Sequence, residues 1–388
     1  MRICFVTHKV LKGDGQGRVN YEVIVKALKE GHQVIVISSE LSEDLQNHSS
    51  VEWIKIQIPK LPTVLLRYQL FAIVSAFSIW LRKNSIDLIV ANGFITYARS
   101  DINCVHFVHS AWVKSSYHPI RQQKDIRTMY QFVYNRLNSM LERFALKRSR
   151  YIIAVSEQVK QELVLDAKMT EHRISVIHNG VDIGEFYPRQ MNRNDYGLDE
   201  DTIYALFAGD LNSGTKNLDN VLHAVHDVEG VHLLVLGNAE RSRYPKIAEQ
   251  LGIGHRVHFL GYRKDVADIM SLADLFIFPS RYESFSLVIL EAMASGLPVI
   301  MSNRCGVAEL ISDGAAVIID DPEDREGLVR VLKELVTDPE RLNAMALQAR
   351  DIAVKNHWGV MADKYMNIFN QIVNPLSVVN KVRREALK

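Results

Sequence analysis

Two acids, Glu283 and Glu291, bracket Phe285, Ser286 and Leu287 at the start of an apolar run that closes on Gly296 and Pro298. The run reads as a helix: Ser284 or Ser286 suits its N-cap, Gly296 a left-handed C′ position, and Pro298 the stop. The first amides of a helix have no partner in a preceding turn and sit at the positive end of its dipole, so those of Phe285, Ser286 and Leu287 could receive a phosphate. A carboxylate beside the hydroxyls of a bound sugar accepts two hydrogen bonds and so reads stereochemistry. At about 100° per residue, eight residues bring Glu291 back towards the side of Glu283. Acids are also favoured at any helix start, so the pair alone equally suits an ordinary surface.

A second candidate lies near the N-terminus, where Gly13, Gly15 and Gly17 precede Arg18 and a helical pattern running to Gly31-His32. Glycines there permit the close backbone approach that a phosphate loop requires. A dinucleotide-binding dehydrogenase competes for this loop, with Glu40 near the place of a ribose-binding acid. The spacing argues against it, because the dinucleotide fingerprint G-x-G-x-x-G directly follows its strand and this loop offers G-x-G-x-G some six residues later. His106 and His109 close another β-branched run, and Lys216 follows Gly209 and Asp210 after a further one.

These residues sit in an alternation of short β-branched runs and longer helical patterns. Ile3–Thr7, Val34–Ser38, Leu88–Ala91, Val105–Val108 and Tyr151–Val155 read as strands in the first half, with helices near 17–30, 65–83 and 125–148 between them. A second alternation starts at Tyr204–Ala208 and continues through Val231–Leu236, Val257–Leu260, Leu275–Phe278 and Val299–Met301. This is the pattern of βαβ units and parallel, doubly wound sheets. Two Rossmann-like α/β lobes with a cleft between them are expected, residues 1–183 and 184–357, with the polar stretch Tyr187 to Asp201 read as the linker. A helix near 358–373, apolar on one face, is expected to pack back on the first lobe. The tail beyond Pro375, with Lys381, Arg383, Arg384 and Lys388, reads as a basic helix or a disordered end.

The formal charge of +1 conceals a basic first half and an acidic second half. Residues 114–150 hold nine Lys and Arg against two acids, interleaved with aromatics, which suits either a solvated face or an anionic membrane surface. Cys4, Cys104 and Cys305 lack the spacing of a zinc site or disulfide framework, which points to a reducing cytoplasm. Met1 to Val6 reads as a strand and lacks the features of a secretory signal. The apolar run Val64 to Leu81, interrupted by Arg67 and Gln69, reads as a buried helix in preference to a membrane span.

The string Glu283 to Glu291 with its continuation Ala292-Met293-Ala294-Ser295-Gly296-Leu297-Pro298-Val299 resembles the signature of glycosyltransferase family 4. The resemblance covers about 360 residues and implies a GT-B fold whose terminal helix crosses back onto the first lobe. It implies a retaining, metal-independent hexosyltransferase that moves a sugar from a UDP- or GDP-sugar to a hydroxyl acceptor, with no cofactor. Its catalytic residues would be His109, Glu283 and Lys216. Donor contacts would come from Gly15, Gly17, Arg18, Gly209, Lys216, Tyr262, Arg263, Phe285, Ser286, Leu287 and Glu291, with Glu283 on the sugar and Glu291 on the ribose. Asp210 stands where relatives place a diphosphate-binding arginine, and Arg18, Arg263 or Arg281 would have to replace it. Val176 to Asp182 and Gly306 to Glu309 match motifs expected to be architectural.

The expected acceptor is a lipid-linked or polysaccharide intermediate of cell-envelope glycan synthesis, lipopolysaccharide included, bound mainly by the first lobe. The expected location is cytoplasmic, peripheral on the inner face of the membrane through the basic lobe. Nucleic acid is not an expected partner, because no nucleic-acid-binding module is recognisable. A nucleotide-sugar epimerase of the same fold and a non-catalytic nucleotide-sugar-binding protein are the alternatives.

Overall fold

Runs such as Ile3-Cys4-Phe5-Val6 and Val34-Ile35-Val36-Ile37 are apolar on both faces, so they can only be strands covered by helices on both sides. In the computed structural model, which describes residues 1–312 and 314–374, they form the centre of a wholly parallel seven-stranded sheet. Its strands are β1 (Arg2–Val6), β2 (Gln33–Ser38), β3 (Val51–Lys55), β4 (Leu88–Asn92), β5 (Ile102–Val105), β6 (Tyr151–Ala154) and β7 (Ile174–Val176). Their order is β3-β2-β1-β4-β5-β6-β7, so the winding reverses between β1 and β4. A second parallel sheet contains β8 (Ile203–Ala208), β9 (Val231–Leu236), β10 (Val257–Gly261), β11 (Leu275–Phe278), β12 (Val299–Ser302) and β13 (Ala316–Ile319). Its order, β10-β9-β8-β11-β12-β13, reverses between β8 and β11.

The described residues divide into two compact units, one of Met1–Asn179 with residues 358–374 and one of Gly180–His357. The stretch expected to link them belongs to the second unit and is tied to its surface. Arg193 donates to the Asp274 carboxylate at 2.7 Å and to the Leu272 carbonyl at 3.0 Å, and Arg189 pairs with Asp268. Few apolar residues made 187–201 look like a linker; its arginines hold it in place instead. The basic tail from Pro375 onward lies outside the described residues.

Five helices of the first unit and one of the second concern function: α1 (Gly15–Lys29), α2 (Val64–Arg82), α3 (His109–Trp112), α4 (Ile126–Arg148), α5 (Leu287–Ala294) and α6 (Trp358–Val373). Within the first unit α6 lies along α1. Lys26 reaches Asp363 at 2.5 Å, and the Arg18 guanidinium sits 5.8 Å from the Trp358 ring centroid. The buried face of α6, with Trp358, Met361, Tyr365 and Phe369, carries the apolar spacing legible in the sequence. α2 is not buried as expected. Phe71, Ala72, Ser75 and Ile79 face the core, while Ile73, Phe77, Trp80 and Leu81 remain more than half exposed.

Candidate active site

Open parallel sheets bind ligands outside the carboxyl ends of their strands, where the winding reverses. In the second unit that place lies between the loop after β8 and the loop after β11. Lys216 comes from the first and Glu283 from the second, and the Lys216 ammonium is ion-paired with the Glu283 carboxylate. About one fifth of each side chain is exposed. Burial lowers the pKa of Lys216 below the ordinary lysine value.

The two loops hold each other by backbone and buried amide bonds. The Arg281 N–H donates to the Thr215 carbonyl at 2.7 Å, and the Ser280 hydroxyl to the same carbonyl at 2.9 Å. Asn217, fully buried and left-handed (φ 62), donates its side-chain amide to the carbonyls of Pro279 at 3.1 Å and Pro322 at 2.6 Å. On the other side the Glu283 N–H donates to the Arg304 carbonyl at 3.1 Å, Gly306 N–H to the Glu283 carbonyl at 3.3 Å, and Val307 N–H to the Phe285 carbonyl at 2.9 Å. The segment Gly306 to Glu309 is therefore a brace for the acid-bearing loop.

Glu283 lies in extended backbone that bridges Cys305, and the helix begins only at Leu287. Helical angular counting from Glu283 to Glu291 accordingly fails over the first residues, since only 287 onward turns at about 100° per residue. Ser286 is the N-cap, but its side chain does not cap: its backbone is left-handed (φ 80) and its buried Oγ is without a partner. A left-handed serine before a helix is costly and recurs where ligands are held. Glu291 is half-buried on the second turn of α5, and Gly296 ends the helix in the left-handed conformation (φ 78).

Gly209, directly after β8, donates to the Leu236 carbonyl at 3.0 Å. Gly237 has φ 146, and a Cβ there would lie 2.3 Å from the Gly209 carbonyl oxygen, so only glycine lets the two loops pass. Asp210, at the expected arginine position, accepts the Asn212 N–H at 2.9 Å and shapes the turn. The three arginines offered as its replacement have other partners. Arg281 binds the Gly214 carbonyl at 2.6 Å and Glu323 at 2.8 Å; Arg263 forks onto Asp265 at 2.8 Å; Arg18 donates to Glu22 at 2.6 Å. Tyr262 is 81% exposed, next to Arg263.

In the first unit, α1 begins earlier than the glycine pattern suggests. Asp14 caps it by accepting the Gly17 N–H at 2.7 Å, which puts Gly15 and Gly17 in the first turn of the helix and confines the loop to Leu11–Asp14. An open cavity of about 1100 Å³ lies over the ends of β1, β2 and β3, lined by His8, Lys9, Gln16, Glu40, Arg67 and Tyr68 among others. His8 stacks on Tyr68 at 4.5 Å, and burial lowers its pKa to about 4, so it is neutral. Sequence reasoning missed this cavity because its walls come from five separate segments with no shared motif.

His109 does not end a strand: β5 stops at Val105, and His109 is the first residue of the short helix α3. Its N–H donates to Glu142 at 3.1 Å, and the Ser110 hydroxyl to the same carboxylate at 3.1 Å. Burial pushes Glu142 up to about 7 against these bonds. The carboxamide of Asn135 bridges His109 Nδ1 and His118 Nε2, each at 3.2 Å. His118 Nδ1 accepts the Ile120 N–H at 3.3 Å, and its Nε2 faces the Asn135 amide nitrogen. Asn135 Oδ1 accepts from His109 Nδ1, so a neutral His109 carries its proton on Nδ1 and leaves Nε2 as an acceptor. Burial lowers the pKa of His109, keeping the ring neutral. Glu142 and Asn135 were not singled out from the sequence, although Glu142 is one of only two acids among the nine cations of 114–150.

Residues 188–352 match the family model of the glycosyl transferases group 1, and residues 13–185 that of glycosyltransferase family 4. The chain belongs to the group 1, family 4 glycosyltransferases. Among relatives, the glycosyltransferase is 32% identical to the lipopolysaccharide glucosyltransferase WaaG of Escherichia coli over 171 residues, 42% of this chain and 46% of WaaG. It is 28% identical to the D-inositol 3-phosphate glycosyltransferase of Mycolicibacterium smegmatis over 248 residues, 61% of this chain and 56% of that protein. The chain thus spans about half the length of the curated relatives it matches. Over whole chains the fold is GT-B. The crystal structure of WaaG superposes with a TM-score of 0.76 at 22% identity, covering 94% of this chain and 99% of that one. Sucrose-phosphate synthase from Thermosynechococcus elongatus gives 0.79 at 21% identity, covering 96% and 99%, and Anabaena HepE in complex with UDP and glucose gives 0.72 at 20% identity, covering 96% and 100%.

Among the described residues, no group of three or more His, Cys, Asp and Glu is gathered as metal ligands. Asp199-Glu200-Asp201 spells D-x-D, but it forms a turn in which Asp199 accepts the Asp201 N–H at 2.9 Å.

Proposed function

We propose that this glycosyltransferase transfers a hexose, with retention and without a metal, from a UDP- or GDP-sugar to the hydroxyl of a lipid-linked or polysaccharide intermediate of envelope glycan synthesis. The observation that carries the reading is the Lys216–Glu283 pair at the reversal of the second sheet, beside the start of α5. A diphosphate arriving there competes with Glu283 for the Lys216 ammonium. Charge is exchanged within a partly desolvated site, and the freed carboxylate accepts hydroxyls of the sugar.

In the reaction the bond from the anomeric carbon to the phosphate oxygen breaks, and the acceptor oxygen bonds to the same face of that carbon. The acceptor's proton leaves with the nucleoside diphosphate. Negative charge grows on the departing diphosphate, and the groups that stabilise it are fixed before the reaction: Lys216 and the amides of Phe285, Ser286 and Leu287. Glu291 takes the ribose. Gly209 and the exposed segment at Tyr262 contribute backbone to the nucleotide. Gly15 and Gly17 border the donor from the first lobe. Arg18 and Arg263, paired with Glu22 and Asp265, contribute to the donor only by exchanging those partners for it, as Lys216 exchanges Glu283. In this reading neutral His109 accepts a hydroxyl of the donor sugar at Nε2, and the cavity over β1, β2 and β3 takes the acceptor. The protein works in the cytoplasm, peripheral to the inner membrane face.

A panel of UDP-, GDP- and ADP-sugars assayed by thermal shift and by release of nucleoside diphosphate tests the reading, since a bound ligand raises apparent stability by mass action. A shift with one donor class, plus a product whose anomeric configuration by NMR equals the donor's, is expected. Folded protein that neither binds nor hydrolyses any member of the panel overturns it, inverted product removes retention, and free epimerised sugar without acceptor favours the epimerase.

A further inference from the structure

Large apolar side chains left in solvent are concentrated on two helices of the first unit. Of the 21 that are exposed among the described residues, 14 lie on α2 and α4. On α2, Leu66, Ile73, Phe77 and Trp80 recur at helical spacing along the side turned from the core, with exposures of 48 to 58%. On α4, Ile126, Met129, Val133 and Met140 do the same, with exposures of 51 to 91%. The two helices are neighbours within the first unit. Tyr97 donates its backbone N–H to Ala72 of α2 at 3.3 Å and places its ring 6.2 Å from Phe144 of α4.

Around the stripes cations predominate, with Asp125 at the N-cap of α4 the acid beside them. Arg67 and Lys83 on or beside α2, and Arg127, Arg136, Lys147 and Arg148 on α4, are exposed cations. α2 has no acid, and the single acid of α4, Glu142, is buried beneath α3. A soluble surface has no reason to turn two apolar stripes outward, and a contiguous apolar patch of this kind marks an interaction site. Two copies of the face would bring like charges together, whereas an anionic bilayer supplies both acyl chains for the stripes and phosphates for the cations.

We infer that α2 and α4 together form a monotopic docking face that lies in the surface of an anionic bilayer, with both apolar stripes immersed to the depth of the acyl boundary. This sharpens the peripheral membrane contact proposed above: the anchor is apolar insertion by two helices, and the cations of 114–150 assist it. α2 also supplies Arg67 and Tyr68 to the wall of the 1100 Å³ cavity. If that cavity takes the acceptor, a lipid-linked acceptor reaches it from the bilayer without leaving its lipid. That last clause rests on the transferase reading; the docking face does not.

Vesicle co-sedimentation of the full chain tests the face, with phosphatidylcholine vesicles and with vesicles containing one third phosphatidylglycerol. Wild type should bind the anionic vesicles, with Trp80 fluorescence shifted to the blue relative to Trp80→Phe. Phe77→Asp combined with Trp80→Asp should reduce binding by at least about tenfold. Arg127→Gln and Arg136→Gln should each cost about fivefold on anionic vesicles and nothing on neutral ones. Both apolar positions are exposed, so melting temperature and nucleotide-sugar thermal shift should stay at wild-type values. Loss of vesicle binding with donor shift intact supports the face alone, whatever becomes of the transferase reading. Equal vesicle binding by wild type and the double aspartate variant overturns it. So does the absence of any vesicle binding, including the case of a dimer in analytical ultracentrifugation that the aspartates dissolve, which would assign the face to a second copy.

Discussion

Both sheets are parallel and both reverse their winding next to their first strand, yet the two strand-end regions hold different things. In the second unit the loops after β8 and β11 are stitched together, and they end in a largely buried ion pair beside a helix start. In the first unit the ends of β1, β2 and β3 border a wide, open cavity, in which the Lys9–Glu40 pair at 2.8 Å is nearly half exposed. The fold supplies a location twice, and the loops decide whether it becomes a rigid electrostatic site or an adaptable receptor. A site that must meet one fixed diphosphate gains from rigidity, because charges held in advance need no reorganisation. An acceptor of variable structure is served by room.

The largest test of this contrast removes a charge from the rigid site. Lys216→Met should leave Glu283 partly buried without its partner and lower kcat/KM by at least about a hundredfold, measured by nucleoside diphosphate release. The next strikes the stitching. Gly237→Ala forces a Cβ against the Gly209 carbonyl and should lower unfolding free energy by about 2–3 kcal/mol in a urea titration, with loss of donor affinity.

A third tests the support beneath His109. Glu142 has a folded pKa of about 7, above the unfolded carboxyl value, so the folded state holds its proton more tightly. Its contribution to stability is fully present below the unfolded pKa and is lost as pH rises through about 7. The loss should reach about 2–3 kcal/mol, and the difference between wild type and Glu142→Gln in melting temperature across that range should isolate it. The smallest effect belongs to the open cavity. Lys9→Ala should raise the acceptor KM by about fivefold and leave the donor Kd unchanged, because an exposed pair contributes about 1 kcal/mol at most.

The sequence carried the rigid region further than the open one. Buried parallel strands are apolar on both faces, so β1, β2, β8, β9 and β11 are visible as runs, whereas β3, Val-Glu-Trp-Ile-Lys at the sheet edge, alternates with charge and escaped notice. Glu283, Lys216 and Glu291 lie within short local strings that can be read one at a time. Their mutual support cannot: the Asn217 amide reaches Pro279 and Pro322, which lie 62 and 105 residues away, and no local pattern announces such a bond. Arg18 and Arg263 looked like spare cations in the string, and only three dimensions show Glu22, Trp358 and Asp265 beside them. The apolar run Val64 to Leu81 read as buried because composition does not say which side of a helix has a neighbour.

Isothermal titration with UDP or GDP and with the matching nucleotide sugar measures the division of labour proposed for Glu283 and Glu291. Glu291→Gln should weaken binding of the free nucleotide by about tenfold, while Glu283→Gln, which frees Lys216 from its competing carboxylate, should bind the free nucleotide more tightly than wild type and lose the extra affinity for the sugar nucleotide. Wild-type affinities for both ligands in both variants would contradict the assignment of the Lys216–Glu283 pair and α5 to the donor.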